Sequence, residues 1–313
     1  MALLRCAVIG VGYLGKFHAQ KYAKIPECQL VAVVDSLQAQ ADVVAGPLGC
    51  AALTDYRDLL GKVDAVSIVV PTQGHYDVCA EFLSAGVHVL VEKPMTTTLA
   101  QADELIRLAK EHHCVLAVGH LERFNPAALA LEPLLSDPRF IDSSRLAPFK
   151  PRATDVSVLL DLMIHDVDLI LSLVDSELES VDCSGARVLT SDIDIANARI
   201  RFANGCVANV TASRVSAKSE RKMRVFQSQA CHSLDFQART LTTYRGTTHS
   251  QAEPEQSIER HEQSFGEADP LFSEILDFVN SIRNKRPPKV SGEAGRRALE
   301  AVQRITEATR LIS

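Results

Sequence analysis

The first 120 residues alternate between two kinds of segment. Short β-branched runs predict buried strands at Cys6–Ile9, Leu30–Val34, Ala65–Val70, Val87–Val91 and Val115–Val118. Longer segments with the apolar spacing of helices lie between them, at Gly15–Lys24, His75–Ala85 and Leu99–His112. Buried strands that alternate with helices form parallel sheets covered on both faces. We therefore predict a doubly wound open sheet for this part of the chain.

The pattern changes after Phe124. A helix is predicted over Val156–Val174, and apolar and polar residues then alternate with period two from Val181 to Tyr244. Within that stretch Asn204-Gly205 is a strong hairpin signal. We predict a mainly antiparallel sheet with one buried and one polar face. The remaining predictions are a loop over Thr247–Asp269 and two closing helices, Pro270–Arg283 and Glu293–Ile312.

Composition narrows the class of protein. Of 313 residues, 46% are hydrophobic and 23% charged, which is typical of a soluble globular chain, and the length favours two domains. A net charge of -6 and the absence of Trp argue against nucleic-acid binding. No apolar run reaches the roughly 20 residues that span a bilayer. Eight scattered cysteines without a CxxC pair fit a reducing cytoplasm, and no metal site is expected.

A glycine motif follows the first predicted strand. Gly10-Val11-Gly12-Tyr13-Leu14-Gly15 is a GxGxxG that opens a helix, as in dinucleotide-binding folds. The free N–H groups of such a helix bind phosphate. Asp35 ends the second strand about 20 residues later, where an acid binds the ribose 2′-hydroxyl and repels a 2′-phosphate. The motif therefore favours NAD over NADP; the alternatives are a ligand-free turn and an ordinary turn aspartate.

A lysine follows a later strand of the same sheet, in Glu92-Lys93-Pro94. Ligands of open α/β sheets bind outside the carboxyl ends of strands. A cation there can hold a substrate hydroxyl and stabilise developing negative charge. A solvated lysine is the alternative.

The predicted helix Val156–Val174 carries a second polar group. Asp161, His165 and Asp168 are spaced i, i+4 and i+7, so on an α-helix they share one face. Histidine is suited to take a proton from a hydroxyl near neutral pH. A hydrogen-bonded core histidine is the alternative.

Further polar residues are candidates for binding a substrate. His120 and Arg123 follow the strand Val115–Val118, where a structural role is equally plausible. Arg145, Lys150 and Arg152 precede the His165 helix and form a possible phosphate set. A second basic cluster, which begins at Arg214, is better explained as a solvated hairpin.

Together these residues resemble a known family over nearly the whole chain, the glucose–fructose oxidoreductase / inositol dehydrogenase (Gfo/Idh/MocA) family. The resemblance rests on the glycine motif continuing to His18, on Pro71-Thr72, on Gly86 to Pro94, on Asp161-x-x-x-His165, and on the closing helices. Thr72 departs from the Asn that many members carry. The family has an N-terminal Rossmann domain, with a doubly wound parallel sheet, and a C-terminal α+β domain with a large, mainly antiparallel open sheet. We place these domains at residues 1–122 and 123–313, and leave open whether the C-terminal helix packs back on the first.

The resemblance also implies an activity. Family members mostly oxidise or reduce a sugar or cyclitol carbon with NAD(P), and the implied catalytic residues are Lys93, His165 and Asp161. The implied cofactor-binding residues are Gly10, Gly12, Tyr13, Leu14, Gly15, Asp35, Pro71, Thr72, His75, Glu92 and Lys93. The implied substrate-binding residues are His120, Arg123, Arg145, Lys150 and Arg152.

Three segments resemble one group of members within the family. They are Val118 to Pro126, Arg145 to Phe149 and Leu160 to Asp166. They look like those of members linked to lipid A assembly, which oxidise the 3-hydroxyl of UDP-N-acetylglucosamine. We expect a cytoplasmic homodimer or homotetramer, assembled through the C-terminal sheet. Dehydrogenation of a free sugar or inositol, NAD-retaining glycoside hydrolysis and an NAD-binding sensor remain alternatives.

Overall fold

The computed structural model describes residues 2–150, 157–246 and 258–312. The chain divides into two compact units. The first comprises Met1–Leu121 with Asp269–Arg296, and the second comprises Glu122–Ala268 with Arg297–Ser313. Within the described ranges, no helix combines the length and apolar character that a membrane crossing requires.

The first unit is built on a six-stranded parallel sheet in the order β3-β2-β1-β4-β5-β6. Its strands are β1 Leu4–Ile9, β2 Cys28–Val34, β3 Ala51–Leu53, β4 Ala65–Ile68, β5 His88–Glu92 and β6 Leu116–Gly119. Its helices are α1 Gly15–Tyr22, α2 Gln38–Leu48, α3 His75–Ser84, α4 Leu99–Glu111 and α7 Pro270–Asn284. This strand order is that of a Rossmann fold and confirms the doubly wound prediction. Only α2 and the three-residue β3 were not predicted.

The helix α7 belongs to the core of this first unit although it comes late in the chain. Leu271, Ile275 and Phe278 of α7 are buried in one cluster with Cys6 and Val8 of β1. The C-terminal part of the chain thus completes the apolar cover of the parallel sheet.

The second unit contains a mixed sheet, which has nine strands among the described residues. Its strands are β7 Phe140–Leu146, β8 Leu178–Ala186, β9 Ile195–Phe202, β10 Val207–Ser213, β11 Glu220–Gln227, β12 Ala230–Asp235, β13 Thr240–Gly246, β14 Ile258–Ser264 and β15 Thr309–Leu311. They lie in the order β14-β13-β12-β11-β7-β10-β9-β8-β15. All neighbours are antiparallel except β7 with β10 and β8 with β15. The open, mainly antiparallel sheet is therefore confirmed.

Helices cover one side of this sheet. They are α5 Pro126–Leu131, α6 Ile164–Leu173 and the C-terminal part of α8 Gly292–Ala308. The predicted alternation holds along β9, where Ala196, Ala198, Ile200 and Phe202 are buried. Asn204-Gly205 makes the predicted turn into β10, with Gly205 at a φ of 87°.

Three predicted elements differ from the structure. The helix predicted over Val156–Val174 begins with a π-helical segment, Leu159–Met163, before α6; Val156 lies outside the described residues. The predicted loop Thr247–Asp269 contains β14, whose residues are exposed and, after Ile258, polar, so they give no hydrophobic alternation; residues 247–257 lie outside the described part. The last helix ends at Ala308, and Thr309–Leu311 pairs with β8 as a short edge strand.

Candidate active site

The glycine motif forms a tight turn between β1 and α1. Gly10 has a φ of 85°, and a Cβ there would lie 2.8 Å from the backbone of Val69. A Cβ on Gly15 would lie 1.8 Å from the carbonyl oxygen of Gly10, so strand and helix approach too closely for a side chain. A Cβ on Gly12 would meet nothing within 4 Å. The turn leaves open space beside the start of a helix, which fits a dinucleotide pyrophosphate.

Asp35 lies beside this turn. Its Oδ2 accepts a hydrogen bond from the N–H of Val11 at 3.0 Å, and its Oδ1 accepts one from the N–H of Leu37 at 3.1 Å. These bonds fix the carboxylate next to the glycine turn at the carboxyl end of β2. Tyr13, by contrast, is 72% exposed, and Leu14 directly precedes α1.

His75 has a different environment from the one implied by the resemblance. It is buried at the start of α3, with Nε2 2.8 Å from the carbonyl oxygen of Val70 and Nδ1 2.9 Å from that of Pro94. Burial lowers its pKa. Because both ring nitrogens face backbone oxygens, His75 joins the end of β4 to the segment after β5, and its ring nitrogens are not available to a cofactor. Pro71 and Thr72 lie in the short connection between Val70 and α3, and Thr72 begins a 3₁₀ turn there.

Glu92 also makes hydrogen-bond contacts within the protein. Its Oε1 lies 3.2 Å from Nε2 of the fully buried His18, and its Oε2 accepts from the backbone N–H of Lys93 at 3.3 Å. Burial alone would raise the pKa of Glu92, but His18 and Lys93 lower it below its usual value. A Cβ on Gly119 would lie 2.7 Å from Oε1. Glu92, whose side chain is 13% exposed, therefore supports the Lys93 segment, whose Lys93–Pro94 peptide is cis.

The first unit thus gathers its predicted residues at one edge of the sheet. Gly10, Asp35 and Lys93 all follow the carboxyl ends of parallel strands. His120 follows β6 at the same edge and is buried. This is where open α/β sheets bind ligands.

Asp161 and His165 lie in the second unit, on one continuous helical segment. Asp161 is in the π-helical part and His165 is in the first turn of α6. A π-helix has more residues per turn than an α-helix, so the predicted common face based on α-helical spacing does not apply to Asp161. His165 is partly exposed between the buried residues Ile164 and Asp166, and its Nδ1 is buried. π-helical turns are frequent at functional sites.

Arg145 is not free to bind a phosphate, which corrects the sequence prediction. It is buried on β7, with Nε 2.5 Å from Oδ2 of Asp166 and Nη1 3.0 Å from Oε1 of Glu122. Burial would lower its pKa, but these two carboxylates raise it above the usual value. The sequence pattern could not show that two buried acids already neutralise this side chain.

The other predicted substrate ligands have mixed environments. Arg123 is 11% exposed, with Nη1 3.7 Å from Oδ1 of the buried Asp168. Lys150 is exposed after β7, and Arg152 lies outside the described residues.

Sequence reasoning missed the supporting residues His18, Glu122, Ser143 and Asp166. Each is a buried polar residue in or beside an element that carries a predicted site residue. The sequence offers two signals, the acid directly beside a candidate histidine in His165-Asp166 and the place of His18 at the end of the glycine motif.

Two family models match the chain. Residues 4–120 match the oxidoreductase family with an NAD-binding Rossmann fold, and residues 137–233 match the Gfo/Idh/MocA C-terminal domain. The chain belongs to the Gfo/Idh/MocA family. It is therefore an oxidoreductase with a Rossmann unit for a nicotinamide dinucleotide, as the resemblance predicted.

Similar proteins place the chain within the Gfo/Idh/MocA family. It is 43% identical to UDP-N-acetylglucosamine 3-dehydrogenase of Acidithiobacillus ferrooxidans, with 97% of each protein covered. A solved structure of that enzyme superposes with a TM-score of 0.92 over 99% of this chain and 98% of the other. The scyllo-inositol 2-dehydrogenase (NAD(+)) of Bacillus subtilis is 31% identical over 68% of each protein. A scyllo-inositol dehydrogenase from Lactobacillus casei, solved with NAD(H) and scyllo-inositol, shares the fold at 23% identity, with a TM-score of 0.82 over 98% of this chain and 97% of that one.

Proposed function

We propose that the protein oxidises the 3-hydroxyl of UDP-N-acetylglucosamine, with NAD as the hydride acceptor. The observation that carries this proposal is the 43% identity, over 97% of both proteins, to an enzyme of that activity. The inositol dehydrogenases are less similar, with 31% identity over 68% of the chain in one case and 27% over 95% in another. The nucleotide sugar is therefore preferred to a free sugar or inositol.

The first unit supports NAD as the cofactor. The open space at Gly12 and the start of α1 suit a pyrophosphate, and the carboxylate of Asp35 suits a ribose with a free 2′-hydroxyl. A 2′-phosphate next to that carboxylate would be repelled. Bound NAD supplies an acceptor for the hydride that leaves the sugar carbon.

The catalytic roles are assigned to three side chains. Lys93 binds the reacting hydroxyl and stabilises the negative charge that develops on its oxygen. His165 accepts the hydroxyl proton at Nε2, because its Nδ1 is buried. Asp161, on the π-helical segment, is the further polar member of the site.

Fewer residues remain as proposed substrate ligands than the sequence suggested. Because Arg145 is held by two buried carboxylates, Lys150 and Arg152 remain as the proposed ligands of the diphosphate, with His120 as a further polar contact. Arg123 is assigned to Asp168 instead of the sugar.

The cellular setting follows from the same proposal. We place the enzyme in the cytoplasm, in the supply of precursors for lipid A. All eight cysteines, each among the described residues, are free thiols, which suits a reducing compartment. The side of the nine-stranded sheet without helices offers a surface for a homodimer or homotetramer.

The experiment is a comparison of substrates. Purified protein and NAD+ would be given UDP-N-acetylglucosamine, UDP-glucose, N-acetylglucosamine, or scyllo- or myo-inositol, and NADH would be followed by absorbance. A carbonyl trap such as phenylhydrazine removes the ketone and so draws an unfavourable equilibrium forward. The proposal predicts the highest kcat/KM for UDP-N-acetylglucosamine; a higher value for an inositol or free sugar would reject it.

A further inference from the structure

Five charged side chains meet in the interior of the second unit, around the first turn of α6. They form two groups, Glu122–Arg145–Asp166 and Arg123–Asp168, which we together call the charge network. The contacts are 2.5 Å from Arg145 to Asp166, 3.0 Å from Arg145 to Glu122 and 3.7 Å from Arg123 to Asp168. Burying so many charges is costly, and buried ions are kept where each one has a well-placed partner.

Asp166 is held by two residues of a single strand. Ser143 donates its hydroxyl to Oδ1 of Asp166 at 2.7 Å, while Arg145 donates to Oδ2. Ser143 and Arg145 are two residues apart on β7, so they point to the same, buried side of the sheet. Both carboxylate oxygens of Asp166 are thus fixed from β7.

Glu122, the other carboxylate that contacts Arg145, is also held in place. Asn125 donates Nδ2 to Oε2 of Glu122 at 3.3 Å and also to the carbonyl oxygen of Phe236 at 3.1 Å. Arg221 approaches Oε1 of Glu122 at 3.7 Å from the rim. Glu122 therefore has little freedom to move, and Arg145 is held between two fixed acids.

His165 lies next to the anchored positions on the helix. It directly precedes Asp166, stands three residues before Asp168, and is the second residue after the change from π- to α-helix at Met163. At such a change the direction in which a side chain leaves the helix depends on how the following turn is held. We propose that the charge network is a positioning device, in which Arg145 and Ser143 fix Asp166 and Arg123 fixes Asp168, so that His165 keeps one orientation for proton transfer.

This proposal rests on the proposed function, because it takes His165 as the acid–base group. It gives Arg145 a role through His165 and no contact with the substrate. A planar guanidinium donates to Asp166 and Glu122 in two fixed directions, whereas the three donors of a lysine ammonium lie on one rotating nitrogen and set no such pair of directions. Charge alone at position 145 is therefore insufficient.

The kinetic test uses Arg145→Lys and Asp166→Asn. Misplacement of a catalytic group by about 1 Å can cost on the order of 100-fold in rate. We expect kcat to fall about 10- to 100-fold in both variants, with KM for the nucleotide sugar within about twofold of the original. The control is Arg224→Lys, which alters an exposed pair between Arg224 and Asp142 on the same sheet and should leave kcat unchanged. A rise in KM at unchanged kcat would make Arg145 a substrate ligand and overturn the proposal.

A second test needs no turnover. Ser143→Ala removes one hydrogen bond from Asp166 but leaves its ion pair with Arg145, so no buried charge loses its ion-pair partner. NMR of histidine-labelled protein, with the His165 ring signals assigned by their loss in His165→Gln, should show those signals shifted or broadened. Ser144→Ala is the matched control, because Ser144 is the next residue of β7 and bonds Glu220 on the other face.

The two proposals fail in different ways. Unchanged His165 signals in Ser143→Ala and Asp166→Asn would overturn the positioning role, whatever the substrate. Activity retained in His165→Gln would instead remove His165 as the acid–base group, and a lack of turnover of UDP-N-acetylglucosamine by the unaltered protein would reject the proposed function. In either case the NMR result would still show whether the network orients the ring.

Discussion

At the scale of single residues, Lys93 and His165 carry the proposed chemistry. Lys93 follows β5 in the first unit, supported at its backbone by Glu92, and His165 begins α6 in the second. Each has a distinct expected effect when it is removed.

Replacing His165 by Asn should lower kcat by about 10²- to 10⁴-fold, because a positioned general base contributes a factor of that order. The dissociation constant for NAD, measured by fluorescence or calorimetry, should stay within about twofold, since the cofactor residues lie in the first unit. Turnover close to that of the original protein would remove His165 from the mechanism.

Replacing Lys93 by Met should lower kcat by a factor of about 10² or more, because the developing oxyanion loses its cation. Met keeps the length of the side chain, so packing around the cis Lys93–Pro94 turn is retained. The thermal midpoint serves as the control for folding, and unchanged turnover in a stable Lys93→Met protein would contradict the assigned role.

Asp35 should decide between the two cofactors. Asp35→Asn removes the charge and keeps one acceptor oxygen, so one of the two bonds from the N–H groups of Val11 and Leu37 is retained. We expect the preference for NAD over NADP, as a ratio of kcat/KM values, to fall by about tenfold or more. An unchanged ratio would show that another group excludes the 2′-phosphate.

Two single residues also show which features of the site the sequence cannot predict. The positions of His75 and Arg145 near candidate site segments could be predicted from the strands that precede or carry them. Their partners could not, because the carbonyl oxygens of Val70 and Pro94 and the carboxylates of Glu122 and Asp166 come from segments brought together only by folding.

At the scale of elements, the glycine turn offers a matched pair of substitutions. Gly12→Ala places a Cβ in open space, so we expect little change in thermal midpoint and a weakening of NAD binding on the order of tenfold. Gly15→Ala forces a Cβ to within 1.8 Å of the Gly10 carbonyl oxygen and should destabilise the unit by about 1–3 kcal/mol. Equal loss of stability in both variants would show that Gly12 is structural.

The connection between β8 and β9 should show a defined acid sensitivity. Asp194 accepts N–H bonds from Val188, Leu189 and Thr190 at its Oδ2 and the hydroxyl of Thr190 at its Oδ1. Burial alone would raise its pKa, but these bonds lower it from 3.8 to about 2. A depressed pKa in the folded state gives stability that is present above the unfolded pKa and is lost as pH falls toward about 2.

Asp194→Asn should therefore lower the thermal midpoint at pH 7 by roughly a few degrees, and the difference should shrink as pH falls from about 4 to 2. Calorimetry across this range measures it. Asp182→Asn, at an exposed carboxylate on β8, is the control and should change little. A difference that stays constant down to pH 2 would contradict the depressed pKa.

Whether a strand or helix could be predicted depends on how strong its pattern of apolar and polar residues is. β1, β5 and β9 could be predicted because buried β-branched runs and period-two alternation are direct consequences of where side chains point. The edge strands β14 and β15 could not, since one is polar on both faces and the other has three residues. The π-helical segment before His165 also has no signature in hydrophobic spacing.

At the scale of the whole molecule, the proposed mechanism assigns different parts of the chemistry to two units of different architecture. The parallel sheet presents the glycine turn, Asp35 and Lys93 at one edge, and the helical side of the mixed sheet carries His165 with its charge network. The fold classes of both halves followed from the sequence. The packing of α7 in the first unit did not follow from the sequence. The apolar face of α7 can be recognised from the sequence, but the elements it packs against cannot.

The most direct test of the central claim is isotope transfer. UDP-N-acetylglucosamine carrying deuterium on carbon 3 would be incubated with the protein and NAD+, and the reduced cofactor would be analysed by mass spectrometry. The account predicts NADH that is one mass unit heavier, because the hydride comes from that carbon. Unlabelled NADH, or NADH formed only when an inositol or a free sugar is supplied, would contradict it.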